Sequence, residues 1–308
     1  MRETAYAKIN LALHVRRRRE DGYHELETLF AFVDAGDVLS ASPAEQDSLH
    51  VVGEFAGSLD ASPLPTGEGL GVGGPPSDHL TEASPPPDLP PLGGRSETSD
   101  NLVARTLSAL PRSQGLAITL EKNLPVAAGL GGGSADAGAV FRIVEALHGL
   151  PDDWLERASA LGADVPCCVR SDMAIGRGTG TELEPVENDM AGMPVLLVNP
   201  RVPLATGPVF KAWANIGDGK DRGGLPQGPA RHIAFEGRND LEPPAIFLCP
   251  VIREVLDAIE DTSPWLARMS GSGASCFALY DSEADRDAAA RRIAADRPGW
   301  WQLAGKLR

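Results

Sequence analysis

Between residues 124 and 140 the chain reads LPVAAGLGGGSADAGAV, with four glycines inside five positions and a helix-forming run directly after them. Glycine is a poor helix former and brings no side chain to a core. A chain that concentrates it here needs either a tight turn or a backbone that a ligand can approach closely. The preceding segment, LAITLEKNLP, alternates as a strand does. From Ser134 the period changes. Val140, Ile143, Val144 and Leu147 fall at i, i+3, i+4 and i+7, a helix that Gly149 and Pro151 close. Strand, glycine turn and helix start together make an anion site, because the first N–H groups of a helix lack internal partners and its dipole adds positive charge there. If the loop is a cradle, a Cβ at Gly131 or Gly132 obstructs the ligand or strains a residue held at positive φ. Ser134 can cap the helix or reach a metal held by phosphates. No Lys-Ser/Thr pair follows the glycines, so the loop is not a Walker A motif; nor is it a dinucleotide turn with its acidic ribose partner. From these residues alone, a phosphate cradle and a plain turn both stand.

The 308 residues suffice for one large domain or two ordinary ones, and 42% hydrophobic residues suffice for a core. A net charge of −15 disfavours nucleic acid and anionic membrane as partners, which need excess Lys and Arg. It does not disfavour a phosphate ligand held by backbone N–H groups. The opening MRETAYAKINLALHVRRRREDG is not a secretory signal: Lys8 and Asn10 interrupt its short apolar stretch, and the arginines follow rather than precede it. No apolar run approaches bilayer-spanning length. Cys167, Cys168, Cys249 and Cys276 show no CxxC spacing and read as buried free thiols of a cytoplasmic protein. His14, His50, His79, His148 and His232 show no metal-ligand spacing.

Residues 4–15 read as a strand, and ETLFAFVDAGDVLSAS and SLHVVGEF as further strand candidates. In residues 63–94, 16 of 32 positions are Pro or Gly, too little apolar area to offset the entropy of ordering. That segment reads as a loosely ordered surface insertion. SDNLVARTLSAL follows as a helix with Ser99 or Asp100 as N-cap. Asp153 and Glu156 suggest a capping box for DDWLERASALG. Pro166 pushes Val165 toward an extended conformation. Strands MPVLLVNP, CFALYD and GWWQLAGKL then alternate with helices TGPVFKAWANI, PVIREVLDAIED and EADRDAAARRIAADR, the pattern of a small α+β domain.

Three further segments bear on the glycine loop. AYAKINLALHV places Lys8 in an apolar strand, DGYHELETLF puts Tyr23 and His24 just after a turn, and MSGSGASCFALY is a second glycine loop. Together with the first loop they resemble the motifs of the GHMP kinase superfamily, and within it the branch acting on a cytidine diphosphate-linked methylerythritol. The resemblance continues through DNLVARTL, LGADVPCCV, GRGTGTELEPV, TGPVFK and NDLEPPA, and leaves out residues 57–98 and the loop near 217–230. Tyr6 stands where the family usually has proline.

The resemblance implies a two-domain α+β kinase. Residues 1–186 would form an ATP-binding domain like ribosomal protein S5 domain 2, carrying the insertion at about 57–98. Residues 187–308 would form a ferredoxin-like domain. It implies ATP, with Mg²⁺ bound through it, a small-molecule substrate, no nucleic acid or membrane partner, and a monomer or weak homodimer. Asp164, in the GADVP motif, matches the catalytic base, and Lys8 its partner. Pro125, Val126, Ala127, Ala128, Gly129, Leu130, Gly131, Gly132, Gly133, Ser134 and Ala135 match the nucleotide loop, with Asn101 a further nucleotide contact. Asn10 matches a contact to the erythritol part, Tyr23 and Phe210 the aromatics that stack on cytosine, and His24 a hydrogen bond to its edge. Thr206 and Lys211 flank Phe210, and Gly271, Ser272, Gly273 and Ala274 close over the phosphates. Asp136 is the rival carboxylate, placed in the first helical turn where its charge suits the dipole. Two other functions stand beside this one: a homoserine- or mevalonate-type GHMP kinase, and a non-catalytic nucleotide-binding protein. The aromatics argue against the first, and retention of both Lys8 and Asp164 against the second.

Overall fold

A computed structural model describes residues 1–57, 101–216 and 221–308. The Pro/Gly-rich segment at 63–94, and the proposed caps Ser99 and Asp100, lie outside the described residues. Within them, Asn101 is the N-cap of the helix, its side chain accepting from the Val103 N–H at 2.8 Å.

Two sheets organise the chain. The first is six-stranded and holds β1 (Arg2–Arg18), β2 (His24–Ala44), β3 (Ser48–Val52), β4 (Gly115–Glu121), β5 (Ala174–Gly178) and β6 (Glu182–Pro185). β2 is its spine. One edge of β2 pairs with β1 along almost its full length; the other pairs with β5 near its start and β4 near its end. The second sheet is antiparallel, in the order β10 (Trp301–Lys306), β7 (Pro194–Asn199), β9 (Cys276–Leu279), β8 (Leu266–Met269). Helices α1 (Leu102–Ala109), α2 (Gly132–His148), α3 (Trp154–Leu161) and α4 (Val165–Arg170) follow the first sheet's strands. Helices α5 (Thr206–Ile216), α6 (Ala230–Glu236), α7 (Glu242–Leu248), α8 (Val251–Glu260) and α9 (Glu283–Asp296) accompany the second.

The buried stripe of α2 includes Val140, Ile143 and Val144, as the period requires, and Gly149 closes the helix at φ 79°. Leu147 departs from the pattern and stands exposed in the last turn. Two local expectations are corrected. Asp153 makes no capping bond, because its carboxylate is taken by Arg157 at 2.8 Å. Val165 is helical: Pro166 sits in the first turn of α4, where its missing N–H costs nothing, so the helix forms around it. The hairpin β5–β6 and helices α6 and α7 carry too few periodic positions to be read from the sequence. All four cysteines are free and buried.

β1 gives the fold its functional edge. It runs three residues further at its C-terminal end than the sequence reading, and everything from Ala7 to Val15 is buried, because helices and loops cover it. Among the described residues only β2 pairs with it as a strand, so its outer backbone edge needs other partners. Loops supply them. The Lys8 N–H donates to the Leu130 carbonyl at 3.0 Å, Leu13 N–H to the Arg238 carbonyl at 2.8 Å, and Asp240 N–H back to the Leu13 carbonyl at 2.9 Å. Asn10 N–H donates to Ser270 Oγ at 3.3 Å and Val15 N–H to Asp240 Oδ2 at 2.9 Å. Both glycine loops are thereby drawn to one strand.

Candidate active site

The register of β1 on β2 shifts between Tyr6 and Lys8 and again between Asn10 and Ala12. Such bulges re-aim side chains, and here they bracket the two polar residues of an apolar strand. Lys8 Nζ lies 3.0 Å from Asp164 Oδ2 and donates to Asn10 Oδ1 at 3.0 Å, with the Phe30 ring face 5.2 Å away. Asn10 Nδ2 donates to Thr28 Oγ1 at 2.8 Å, and Thr28 to the Ala12 carbonyl at 2.7 Å, so the amide is held from both ends.

Asp164 arrives from the other side. It is the N-cap residue of α4 but its side chain makes no capping bond, which leaves the carboxylate for Lys8. Arg142 of α2 fixes the distance between the two. Its guanidinium donates to the Cys168 carbonyl and to the Thr4 carbonyl, both at 2.7 Å, tying α4 to β1. The Lys8 side chain is 5% exposed and that of Asp164 is 35% exposed, so the pair offers its carboxylate to solvent and buries its ammonium. Burial works against the charge on Lys8. Asp164, with Cys167 and Cys168 adding to it, outweighs that and lifts Lys8 above the ordinary lysine value.

The first glycine loop lies across Lys8. Gly129 and Gly131 have φ of 75° and 62°, and Ala127 adopts 53°. A Cβ on Gly129 would sit 2.3 Å from the Ser270 carbonyl oxygen, and one on Gly131 2.9 Å from Lys8 Cε. A Cβ on Gly132 would lie 3.2 Å from the buried Lys122 ammonium. These glycines therefore admit protein on their inner side, and a Cβ at Gly131, held at φ 62°, would also strain the backbone, the second of the two effects expected from the sequence. Gly133 is exposed, and its Cβ would touch only Leu102 Cδ2, at 3.9 Å. Ser134 caps nothing: the N-cap of α2 is Gly131 and no side chain caps the helix.

The second loop, residues 270–275, packs on the first. Ser270 Oγ donates to the Gly129 carbonyl at 2.8 Å, and Ser275 N–H to the Ala128 carbonyl at 3.1 Å. Asn239 Nδ2 donates to the Met269 and Gly271 carbonyls, each at 2.8 Å, and Asn199 Nδ2 to Ser275 Oγ at 2.8 Å. Thr206, at the start of α5, and Ser272 share a hydrogen bond of 2.9 Å. At the far end of β1 is an aromatic group. His24 stacks on Phe210, centroids 4.6 Å apart, and meets the edge of Trp213. Tyr23 stands 57% exposed beside it in the β1–β2 turn. Lys211 is exposed next to Phe210. Burial, then the charge of Arg18, pushes His24 below the ordinary histidine range, so its ring is neutral at pH 7.

Lys8, Asn10, Asp164 and residues 127–131 are thus brought together, with 270–273 packed against them and Thr206 joined to Ser272. Asn101 is engaged as a helix cap, its oxygen occupied. Asp136 lies in the second turn of α2, not the first, and is buried against Lys122 at 2.8 Å. The sequence reading missed Thr28, Asn199, Asn239, Ser270 and Trp213. Thr28, Asn239 and Ser270 stood in the quoted DGYHELETLF, NDLEPPA and MSGSGASCFALY without being singled out; Asn199 and Trp213 carry no local signal. Among the described residues no cluster of His, Cys, Asp or Glu has metal-holding geometry, and no helix is long and apolar enough to cross a membrane.

The chain is similar to known proteins along its whole length. Residues 101–172 match the GHMP kinases N terminal domain and residues 226–298 the GHMP kinases C terminal model. A 4-diphosphocytidyl-2-C-methyl-D-erythritol kinase of Erythrobacter litoralis is 64% identical over 99% of this chain and 98% of its own. One from Novosphingobium aromaticivorans is 60% identical over 100% and 93%. A crystal structure of a 4-(cytidine 5'-diphospho)-2C-methyl-D-erythritol kinase superposes with a TM-score of 0.73 at 31% identity, covering 100% of this chain and 99% of the other.

Proposed function

The chain belongs to the 4-diphosphocytidyl-2-C-methyl-D-erythritol kinase family of GHMP kinases, and from that premise we infer that it transfers the γ-phosphate of ATP to the 2-hydroxyl of 4-diphosphocytidyl-2-C-methyl-D-erythritol, releasing ADP. The observation that carries the assignment of roles is the Lys8–Asp164 pair at 3.0 Å, with the Lys8 stem packed beneath Gly131 of the first loop. Asp164, the partly exposed member, accepts the proton of the substrate hydroxyl. Lys8 pairs with that carboxylate and holds it beside Asn10. Little covalent work falls to the protein in phosphoryl transfer, so positioning and charge stabilisation carry most of the catalysis. The loop 125–135, opening α2, presents backbone N–H groups and the positive end of a helix dipole to the ATP phosphates. Mg²⁺ enters as part of the MgATP substrate.

Residues 271–274 close over the phosphates from the second unit, with Thr206 fixed to Ser272. Asn10 contacts the erythritol part, and Tyr23, His24, Phe210 and Lys211 take the cytidine end. Asn101 lies on the nucleotide side. We divide the chain at 186/187, with the cleft between the units as the site, and take it to act as a monomer or weak homodimer. The aromatic group sets this reading above a homoserine- or mevalonate-type kinase, whose small substrates have no base to stack. The deciding experiment is ADP release with each candidate acceptor in turn. Turnover is expected with the cytidine-linked acceptor; faster release with homoserine or mevalonate would reject the reading.

A further inference from the structure

Beneath the first glycine loop lies a buried charge cluster that the phosphoryl-transfer scheme does not use. Lys122 is 2% exposed, Asp37 0% and Asp136 3%. The Lys122 ammonium contacts Asp37 Oδ2 and lies 2.8 Å from Asp136 Oδ2. Asp37 Oδ1 accepts the N–H groups of Asn123 at 2.6 Å and Leu124 at 2.7 Å. Residues 122–124 are the entry to the loop, and Asp136 follows its exit into α2. Both ends of the loop are therefore tied to one cluster. Gly132 admits the connection, since a Cβ there would crowd the ammonium at 3.2 Å. The tie is costly to maintain: two carboxylates share one lysine, and Asp136 Oδ1 has no hydrogen-bond partner. Burial pushes the Asp136 carboxyl well above the carboxylate range, against the pull of Lys122.

A cluster this expensive is poorly explained as a source of stability, because buried ion pairs seldom repay their desolvation. Its position suggests another use. The loop it closes holds Ala127, Gly129 and Gly131 at positive φ, a conformation a free loop would leave. We propose that Lys122, clamped between Asp37 and Asp136, is a positioning residue that holds the nucleotide loop in its binding conformation before ATP arrives. This rests on the assignment of that loop to the ATP phosphates. Closing a loop at both ends removes ordering cost from the binding step, so the effect falls on ATP affinity and not on chemistry.

The test is Asp136→Ala, which cuts the exit tie and leaves Lys122 paired with Asp37, beside Asp136→Asn, which keeps an oxygen for Lys122. In steady-state kinetics Asp136→Ala is expected to raise the KM for ATP about tenfold, the return of one or two side chains' ordering cost to binding. Its kcat and its KM for the cytidine substrate stay within about twofold, and Asp136→Asn restores the ATP KM. Hydrogen exchange of amides 126–133 is followed with and without ADP. Faster exchange in ligand-free Asp136→Ala than in wild type supports the clamp. Equal increases in both KM values, or a lowered thermal midpoint with the ATP KM unchanged, would make the cluster purely structural. If ADP fails to protect these amides in the wild type, the loop assignment fails instead. If ADP protects them while Asp136→Ala exchanges and binds as wild type, only the clamp is refuted.

Discussion

Replacing Asp164 by Asn changes one atom and two properties of the site. The substrate hydroxyl loses its proton acceptor, and Lys8 loses its only anionic contact among the described residues. Losing a positioned base typically costs about 10²–10⁴ in turnover. The stability cost follows from the burial of Lys8. Breaking a fully buried pair costs about 3–5 kcal/mol and an exposed one about 0–1 kcal/mol. This pair is mixed, with side chains 5% and 35% exposed, and Asn10 Oδ1 and the Phe30 ring remain to receive the ammonium. Roughly 1–3 kcal/mol is therefore expected, a fall in Tm of about 2–10 °C. The charge on Lys8 adds a third readout. Its pKa stands above the ordinary value because Asp164, with Cys167 and Cys168 adding to it, outweighs burial. Without Asp164 the largest influence, burial, loses its main opponent and the lysine pKa falls. Residual activity that depends on the ammonium then declines at lower pH than in the wild type. ADP release across pH, calorimetric titration of ATP and a thermal melt make the assay, with ATP affinity expected to change little. Near-normal turnover would refute the assignment of the base. An unmoved alkaline limb would refute the account of the Lys8 charge.

Phe210→Ala should raise the KM for the cytidine substrate by roughly 10–100-fold, given about 1–3 kcal/mol for stacking one base on an aromatic ring. It should spare the KM for ATP; an equal effect on both would place Phe210 in the core rather than at the base. Exchanging residues 63–94 for a short Gly/Ser linker should leave turnover and Tm nearly unchanged, because the segment has little apolar area to bury; a large drop in either would show that it packs on the body. His14 gives a pH dependence of stability. It is 1% exposed, its Nδ1–H donates to the Gly223 carbonyl at 3.1 Å, and its Nε2 accepts the Arg238 N–H at 3.2 Å, so the folded ring must be neutral. Burial, then Arg238, depresses its pKa below 6.5. The unfolded chain therefore binds the proton first. The contribution is full above about pH 6.5 and is lost as pH falls through the folded value. Melts of wild type and His14→Gln should diverge below that pH, and parallel curves would exclude the mechanism.

What the sequence revealed was what one segment can express by itself. A lysine inside an apolar strand announced a buried charge needing a partner, and Asp164 stood in a motif that named one. Glycines before a helix announced a loop of unusual backbone, and three residues there do have positive φ. What stayed hidden were groups defined by assembly. Ser270 is an ordinary serine until Asn10 and Gly129 come within reach of its hydroxyl. Nothing in LAITLEKNLP marks Lys122, yet it is buried between carboxylates 85 positions before it and 14 after it. The direction of the glycines was hidden for the same reason. Composition says that a Cβ is missing, but only the packed loop says that Lys8, Ser270 and Lys122 occupy the space.

The open edge of β1 also sets the order in which the molecule can be made. The N–H of residue 10 donates to the side chain of residue 270, and that of residue 15 to the side chain of residue 240. The strand bearing Lys8 thus lies more than 200 positions before several of the residues that satisfy its outer backbone edge. Contacts of such sequence separation slow folding, because the intervening loop must be closed before they form. Before the second unit forms, the strand can pair with β2 but lacks the aspartate and serine to which its outer edge donates. A fragment ending near residue 186 would contain both Lys8 and Asp164, yet would present that edge to solvent and to other chains, as unpaired edges do. The boundary near 186 is therefore a poor place to cut: activity should not return from separately folded halves, and the first half alone should be prone to associate through β1.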